Sequence, residues 1–417
     1  MKKRLLCLLC LLLAACLLSG CSLLNMSTLE AMFRNNPAPS AANGTAGEDT
    51  VTISRAEYEK YKQFDELLEL MDYADAYFYM EADHDKMITG ASRGLLNELG
   101  DRYTFYYDPE EWQKLWEDDE GKYAGVGMQI TASYVTGICT ISRVFRDTPA
   151  DRAGIQRNDI LYKVEDLTVT AETLDEAVKI MRGTPGTDVH IVMIRDGDEI
   201  AFDVTRAEIN VNYVESTMLT DDIGYIAFYE FSGEADKQFE EDLKHLTDQG
   251  AKGIILDLRD NGGGWTSIAV HIADLFMDEG EVFYTIDKNG YEDHSARTKD
   301  GKVDVKLVLL INENSASSSE ILTGALKERA DATTVGVKSF GKGIVQMVQD
   351  VGKNGAGFQM TIEQYMTPDG NKVHQIGITP DVEVPLDADD NGMYDFADTE
   401  KDPQLKKAVE VMKEKLK

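Results

Sequence analysis

Three segments of this 417-residue chain hold residue types that could do nucleophilic or acid–base chemistry. The first, Asn314-Ser315-Ala316-Ser317-Ser318-Ser319-Glu320, places a serine run between an apolar stretch and an amphipathic one. Ser317 and Glu320 stand at capping-box spacing, and helix capping alone accounts for that. The same placement would set a serine hydroxyl at a strand-to-helix turn, where helix N–H groups and the helix dipole stabilise an oxyanion. The second, Leu256-Asp257-Leu258-Arg259-Asp260-Asn261-Gly262-Gly263-Gly264, follows an apolar strand-like run and offers backbone N–H groups without side-chain cover. The third, Ser339-Phe340-Gly341-Lys342-Gly343, sets a lysine between glycines. Lys342, Ile344 and Gln346 follow period-2 spacing, so the lysine and the glutamine share a strand face. A poorly hydrated lysine there can lose its proton near neutral pH and serve as a general base.

Other chemistries have less support. The histidines are His84, His190, His245, His271, His294 and His374, and none has a catalytic setting. His374, after Pro368-Asp369-Gly370, is the reserve candidate for a histidine-based triad, against a turn-exposed side chain. No His-Glu-x-x-His or paired-cysteine metal pattern occurs. Asp387, Asp389, Asn391, Gly392, Asp395 and Asp398 reproduce positions 1, 3, 5, 6, 9 and 12 of a calcium loop. Against Ca²⁺ stand an Asp at the twelfth position, the missing leading helix, and the ease with which an acidic chain produces Asp-rich runs. Cys139 lies in an alternating apolar stretch and reads as a small buried hydrophobe.

These segments need elements to position them. Residues 54–116 read as helical, with Ser54 and Glu57 as a capping box and nothing that suggests chemistry. From 121 to 211 short alternating strands dominate, interrupted by helical pieces at 149–153 and 174–181. From 214 strand and helix alternate, which indicates α/β layering with much parallel pairing. Residues 404–416 read as an amphipathic helix for packing or an oligomer contact. The fold class expected is multi-domain α+β.

Composition narrows the function. The chain carries 42 Lys+Arg against 75 Asp+Glu, a net charge of −33, which argues against nucleic acid and against polybasic attraction to anionic lipid. Hydrophobic residues at 43% exclude global disorder. Lys2, Lys3 and Arg4 precede an apolar run at 5–18, too short for a membrane span of about 20 residues but suited to a secretory signal. Leu18-Ser19-Gly20-Cys21 resembles the bacterial lipoprotein box, which implies cleavage after residue 20 and lipidation of Cys21. An ordinary secretory signal is the alternative. Cys7, Cys10 and Cys16 would leave with the signal, so no intramolecular disulfide forms. Residues 21–50, rich in Pro, Gly and small polar residues, read as a tether.

Two resemblances organise the rest. Tyr123-Ala124-Gly125-Val126-Gly127-Met128, then Thr148-Pro149-Ala150-Asp151-Arg152-Ala153-Gly154-Ile155 and Asp159-Ile160-Leu161, resemble a bacterial PDZ domain. Arg182-Gly183, Gly186-Thr187 and Val189 continue the likeness. Asn158 stands where such domains carry Gly, and Asn tolerates positive φ. The resemblance implies an anion nest at Gly125, Val126, Gly127 and Met128 for a peptide's terminal carboxylate, with the peptide added as a strand. A Gly-containing turn without binding significance is the plainer reading.

The three chemical segments, in their order over residues 55–385, resemble the carboxyl-terminal processing, or tail-specific, serine proteases. The resemblance implies Ser317 as nucleophile, Lys342 as its base, Gln346 as the residue orienting that lysine, and the N–H groups of Gly263 and Ser318 as oxyanion hole. Where that family usually has Pro this chain has Gly262, which removes a φ restraint from the oxyanion loop. The expected organisation is signal peptide 1–20, tether 21–50, helical module 51–118, PDZ domain 119–212, ClpP/crotonase-like α/β catalytic domain 213–385, and an acidic loop with C-terminal helix at 386–417. The expected function is a lipid-anchored extracytoplasmic bacterial endopeptidase acting on proteins or peptides with free C-terminal tails. It requires no cofactor and binds no nucleic acid, and family members often dimerise. The alternative is an inactive PDZ receptor or scaffold.

Overall fold

The computed structural model describes residues 52–299, 302–385 and 396–417. The expected signal, the tether and Cys21 lie outside the described residues, as do Asp387, Asp389, Asn391, Gly392 and Asp395. Among the described residues no helix is long and apolar enough to cross a membrane.

The chain divides into two compact units between His84 and Asp85. In the first, Ser54 and Glu57 form their capping box, the Ser54 N–H donating to Glu57 at 2.8 Å and the Glu57 N–H to the Ser54 hydroxyl at 3.2 Å. Helices Arg55–Tyr61 and Asp65–Tyr77 follow, and neither buries a residue. The division departs from the helical module expected over 51–118. Residues 85–118 share a unit with everything that follows, because their aromatic side chains find their apolar partners there. Trp112, on helix Pro109–Glu120, packs so closely on Gly357 that a Cβ there would sit 2.2 Å from the indole, and strand Phe105–Tyr107 pairs antiparallel with strand Ala356–Met366.

In the second unit the β-rich region forms a six-stranded antiparallel sheet. Its order runs Met128–Ala132, Cys139–Val144, Ile160–Val164, Asp188–Arg195, Asp198–Thr205, with Leu167–Thr168 paired to the third strand. Alternating side chains from this sheet, among them Ile141, Leu161, Ile191 and Met193, form its core with helix Leu174–Met181. Cys139 is buried in that core as a free thiol. Asn158 takes φ 72° at the turn into Ile160–Val164. The strand Met128–Ala132 ends the sheet, and among the described residues its outer edge is unpaired, a template for β-addition.

A second six-stranded sheet runs Val214–Met218, Ile223–Phe228, Gly253–Asp257, Lys306–Ile311, Thr333–Gly336, Val382–Glu383, parallel after the first pair. Residues 253–257 are all buried, as expected for a parallel strand covered on both faces. Helices Ala235–Asp248, Thr266–Asp274 and Ser318–Arg329 contribute to one core against this sheet. Helix Pro403–Lys415 covers the opposite face through Leu405, Ala408, Val409 and Met412, so the terminal helix packs intramolecularly. It is also locked electrostatically: the buried Arg259 guanidinium pairs with Asp257 and with Asp402, each at 2.6 Å, and donates to Gln404 at 3.1 Å. A third sheet, antiparallel, joins Phe105–Tyr107, Ala356–Met366, Tyr284–Asp287 and Glu292–Asp293, with Ile344–Val351 also on Ala356–Met366.

Candidate active site

The serine run sits where a parallel strand hands over to a helix. After Lys306–Ile311 the chain turns through 312–316, and Ser317 caps helix Ser318–Arg329 at φ 57°, ψ −118°. A serine pays 1–3 kcal/mol for that backbone region, roughly, so the surroundings must fix it. They do. The Asn312 N–H donates to the Ser315 hydroxyl at 2.9 Å, which donates to the Leu258 carbonyl at 2.8 Å. The Ser319 hydroxyl donates to the Asn261 carbonyl at 2.9 Å, and the Ser318 hydroxyl to the Gly264 carbonyl at 2.7 Å. Three serines of the run thus tie the turn to the glycine loop. Of the run, Ser317 is the one that lines a cavity of about 420 Å³, together with Lys342 and Gln346.

Glu320 joins the serine turn to the lysine loop. Its carboxylate, fully buried, accepts from the Ser317 N–H at 3.0 Å, the Lys342 N–H at 2.8 Å, the Gly341 N–H at 2.7 Å and the Ser339 hydroxyl at 2.6 Å. Burial pushes its carboxyl above the usual range, against those four bonds. Spacing marks Glu320 only as a cap.

Lys342 is half-buried, and burial holds its ammonium below the usual lysine range while the carboxylates of Asp101 and Glu320 oppose that shift. Its Nζ lies 4.9 Å from the centroid of the Tyr103 ring. Among the described residues Nζ and the Ser317 hydroxyl share the cavity without a hydrogen bond between them. Gln346 follows a register shift at Val345 and donates to the Thr361 hydroxyl at 3.2 Å, not to Lys342.

The two expected oxyanion donors differ. The Ser318 N–H, in the first helical turn, donates to nothing among the described residues. The Gly263 N–H already donates to the Asn261 side chain at 2.9 Å. Gly263 takes φ 103°, and a Cβ on it would lie 2.7 Å from the Ser317 Cβ and 3.0 Å from the Ser318 nitrogen. Only glycine lets the loop come this close to the serine. Trp116 stacks on Trp265 at 6.1 Å in the cavity wall, and the Trp265 indole donates to Asp119.

His374 is not in this cavity. It lines a neighbouring one with Asp101 and Thr361, and its Nδ1 is buried without a hydrogen-bond partner among the described residues. Asp398, the described member of the calcium pattern, accepts from the N–H groups of Glu400 and Lys401 and pairs with the Lys401 ammonium at 3.4 Å. The described residues contain no cluster able to hold a metal.

A separate groove of about 270 Å³ lies between the edge strand Met128–Ala132 and helix Leu174–Met181, lined in part by Gly125, Val126 and Met128. Gly127 adopts φ 91° against Thr148. The Tyr123 ring covers Gly125, where a Cβ would meet it at 2.8 Å. Its hydroxyl faces the Gly127 N–H, and burial pushes it up to about 12. The Arg182 guanidinium lies 5.1 Å from the ring centroid. Arg143, at the groove floor, reaches from this sheet to the parallel one, 3.0 Å from Glu215 and 3.7 Å over the Tyr229 ring.

Comparison with known proteins converges on the same reading. Residues 222–384 match the model of peptidase family S41, and residues 140–195 match a PDZ domain model. The chain is 32% identical over 326 residues to the carboxy-terminal processing protease CtpA of Bacillus subtilis, covering 78% of this chain and 69% of that one. It is 35% identical over 302 residues to a carboxyl-terminal-processing protease of Synechocystis sp., covering 70% of each. A solved structure assigned to the S41 proteases of Bacteroides fragilis superimposes with a TM-score of 0.54 at 12% identity, over 88% of this chain and 99% of that one; that likeness concerns the fold. The chain therefore belongs to peptidase family S41, among the carboxyl-terminal processing serine proteases that carry a PDZ domain.

Proposed function

We propose that the protein is a lipid-anchored, extracytoplasmic endopeptidase that captures the C-terminal tails of its substrates in the PDZ groove and cleaves them by a Ser317–Lys342 mechanism. The observation that carries the reading is the shared carboxylate of Glu320, which binds the backbone of both Ser317 and Lys342 and so sets nucleophile and base on one cavity. Neutral Lys342 takes the Ser317 proton as the hydroxyl oxygen attacks the scissile carbonyl. The developing oxyanion accepts from the Ser318 N–H, and from the Gly263 N–H once it exchanges Asn261 for the substrate. The Lys342 ammonium then protonates the leaving amine, and water hydrolyses the acyl-enzyme. Tail capture is supported by the unpaired edge strand beside the Gly125–Gly127 turn. Lipidation at Cys21 and the location outside the cytoplasm rest on the leader sequence.

The test is cleavage of an unstructured protein with an apolar C-terminal tail by the wild type and by Ser317→Ala. Loss of cleavage in the variant alone supports the reading. Equal cleavage removes Ser317 from the mechanism, and inactivity of both favours a peptide-binding scaffold. Cys21→Ser should move the protein from the membrane fraction to the soluble one, and an unchanged distribution rejects the anchor.

A further inference from the structure

The lysine that shares the cavity with Ser317 is held by a loop that the sequence did not mark. Residues 101–104 precede strand Phe105–Tyr107 and are stapled to the third sheet. The Thr361 N–H donates to the Thr104 hydroxyl at 3.2 Å, and the Gln359 side chain donates to the Tyr103 carbonyl at 3.2 Å. Within the loop, Asp101 accepts from the Thr104 hydroxyl at 2.6 Å and from the Tyr103 N–H at 3.2 Å. The Thr361 hydroxyl accepts from Gln346 at 3.2 Å and favours the charged form of the Asp101 carboxyl. The Gln346 amide is thereby held on Thr361 rather than on the lysine.

We propose that Asp101 and Tyr103 are positioning residues for the base: the Lys342 ammonium rests on the Tyr103 ring beside the Asp101 carboxylate and leaves this cradle to reach Ser317. This rests on the Ser317–Lys342 reading and adds to it a resting place for the amine. An ammonium over an aromatic face is attracted by the ring quadrupole, and a neutral amine much less so. A neighbouring carboxylate favours the charged form likewise. The cradle therefore stabilises the form of Lys342 that cannot accept a proton.

The charged groups around it are few. Asp101 from the loop and Glu320 from the serine helix act on Lys342. Asp101 in turn faces His374, and Lys372 acts on that histidine. Burial opposes ionisation of Asp101, but the Thr104 and Thr361 hydroxyls hold its carboxyl below the usual range.

The experiment measures the pH dependence of kcat/KM for the full chain on a tailed peptide. Asp101→Asn keeps an acceptor for the Tyr103 N–H and removes the charge. The acid limb should move to lower pH by about one unit, raising activity roughly tenfold on that side, and Asp101→Glu should restore it. Tyr103→Phe should leave the profile in place, and Tyr103→Leu should move it in the same direction as Asp101→Asn by less. Should Asp101→Asn fail to fold, as judged by its melting curve, the Tyr103 pair decides. An unmoved limb, or one uniform loss at every pH, overturns the cradle. Lys342→Ala separates the two readings. If it stays active the Ser–Lys mechanism itself fails; if it is dead while the limb is unmoved, only the cradle does.

Discussion

The candidate active-site cavity and the groove beside the edge strand both place backbone N–H groups at glycine-rich turns, and they hold those groups differently. In the cleft the turn is pinned by Glu320, Ser315, Ser318 and Ser319, and the Ser318 N–H is left without an acceptor among the described residues. In the groove the Gly127 N–H faces the Tyr123 hydroxyl. A donor aimed at a charge that exists only in the transition state must be set before the charge appears, since reorganising then would raise the barrier. A donor for a stable carboxylate can exchange partners as the ligand arrives, and the exchange lowers affinity without touching the chemical step. The Gly263 N–H, on Asn261, belongs to the cleft but behaves as the groove does.

The sharpest break between the two regions is Lys342→Ala. Turnover should fall by about a thousandfold, within the ~10²–10⁴ that a general base contributes, while calorimetry shows unchanged binding of a tail peptide. In the wild type, kcat/KM should fall as pH drops through the Lys342 pKa, because the ammonium accepts no proton. Burial lowers that pKa, so the limb should lie below the ~10.4 of a free lysine. Glu320→Gln comes next. Its amide turns a donor toward N–H groups that need an acceptor, at about 1–3 kcal/mol, so kcat/KM should drop roughly 10- to 100-fold with tail binding again intact.

The groove variants invert the pattern. Gly127→Ala puts a Cβ 2.3 Å from that of Thr148 at φ 91°. Tail affinity should weaken by about tenfold or more, given ~1–3 kcal/mol of backbone strain, while a short untailed peptide is cleaved at the wild-type rate. Tyr123→Phe has the smallest expected effect. Freeing the Gly127 N–H should tighten binding of a carboxylate-ended peptide about fivefold, for ~1 kcal/mol per hydrogen bond. An amidated control peptide should not gain, and equal gains for both would show that the hydroxyl does not compete for the nest.

Much of this was legible in local pattern. Alternation of strand and helix after 214, the period-2 burial around Cys139, and positive φ at Asn158 are properties of short windows. What decided between serines was not. Ser315, Ser317 and Ser319 look alike in sequence, and only the carbonyls of Leu258 and Asn261, more than 50 residues away in the chain, take up the outer two hydroxyls. Glu320 has a local role as a cap that concealed its larger one. Asp101 and Tyr103 come beside Lys342 through a sheet joining residues some 256 apart, and no spacing rule reports that. Lys342 lies before strand Ile344–Val351, and a register shift at Val345/Gln346 breaks the two-residue period, so the shared face expected from the spacing is not formed. Both side chains line the same cavity, with the Gln346 amide on the Thr361 hydroxyl.

The Arg259 ion pair couples the glycine loop to a helix distant from it in the chain. Arg259 lies in the segment leading to Gly263, and Asp402, one carboxylate it pairs with, opens helix Pro403–Lys415. Removing one partner from a buried charge pair costs about 3–5 kcal/mol. A chain without residues 402–415 takes Asp402 away from that buried guanidinium. A chain stopped at residue 401 should show no cleavage, and full activity in it would uncouple the helix from the site. Through that one charge, a helix on the far face of the parallel sheet bears on the loop that faces Ser317.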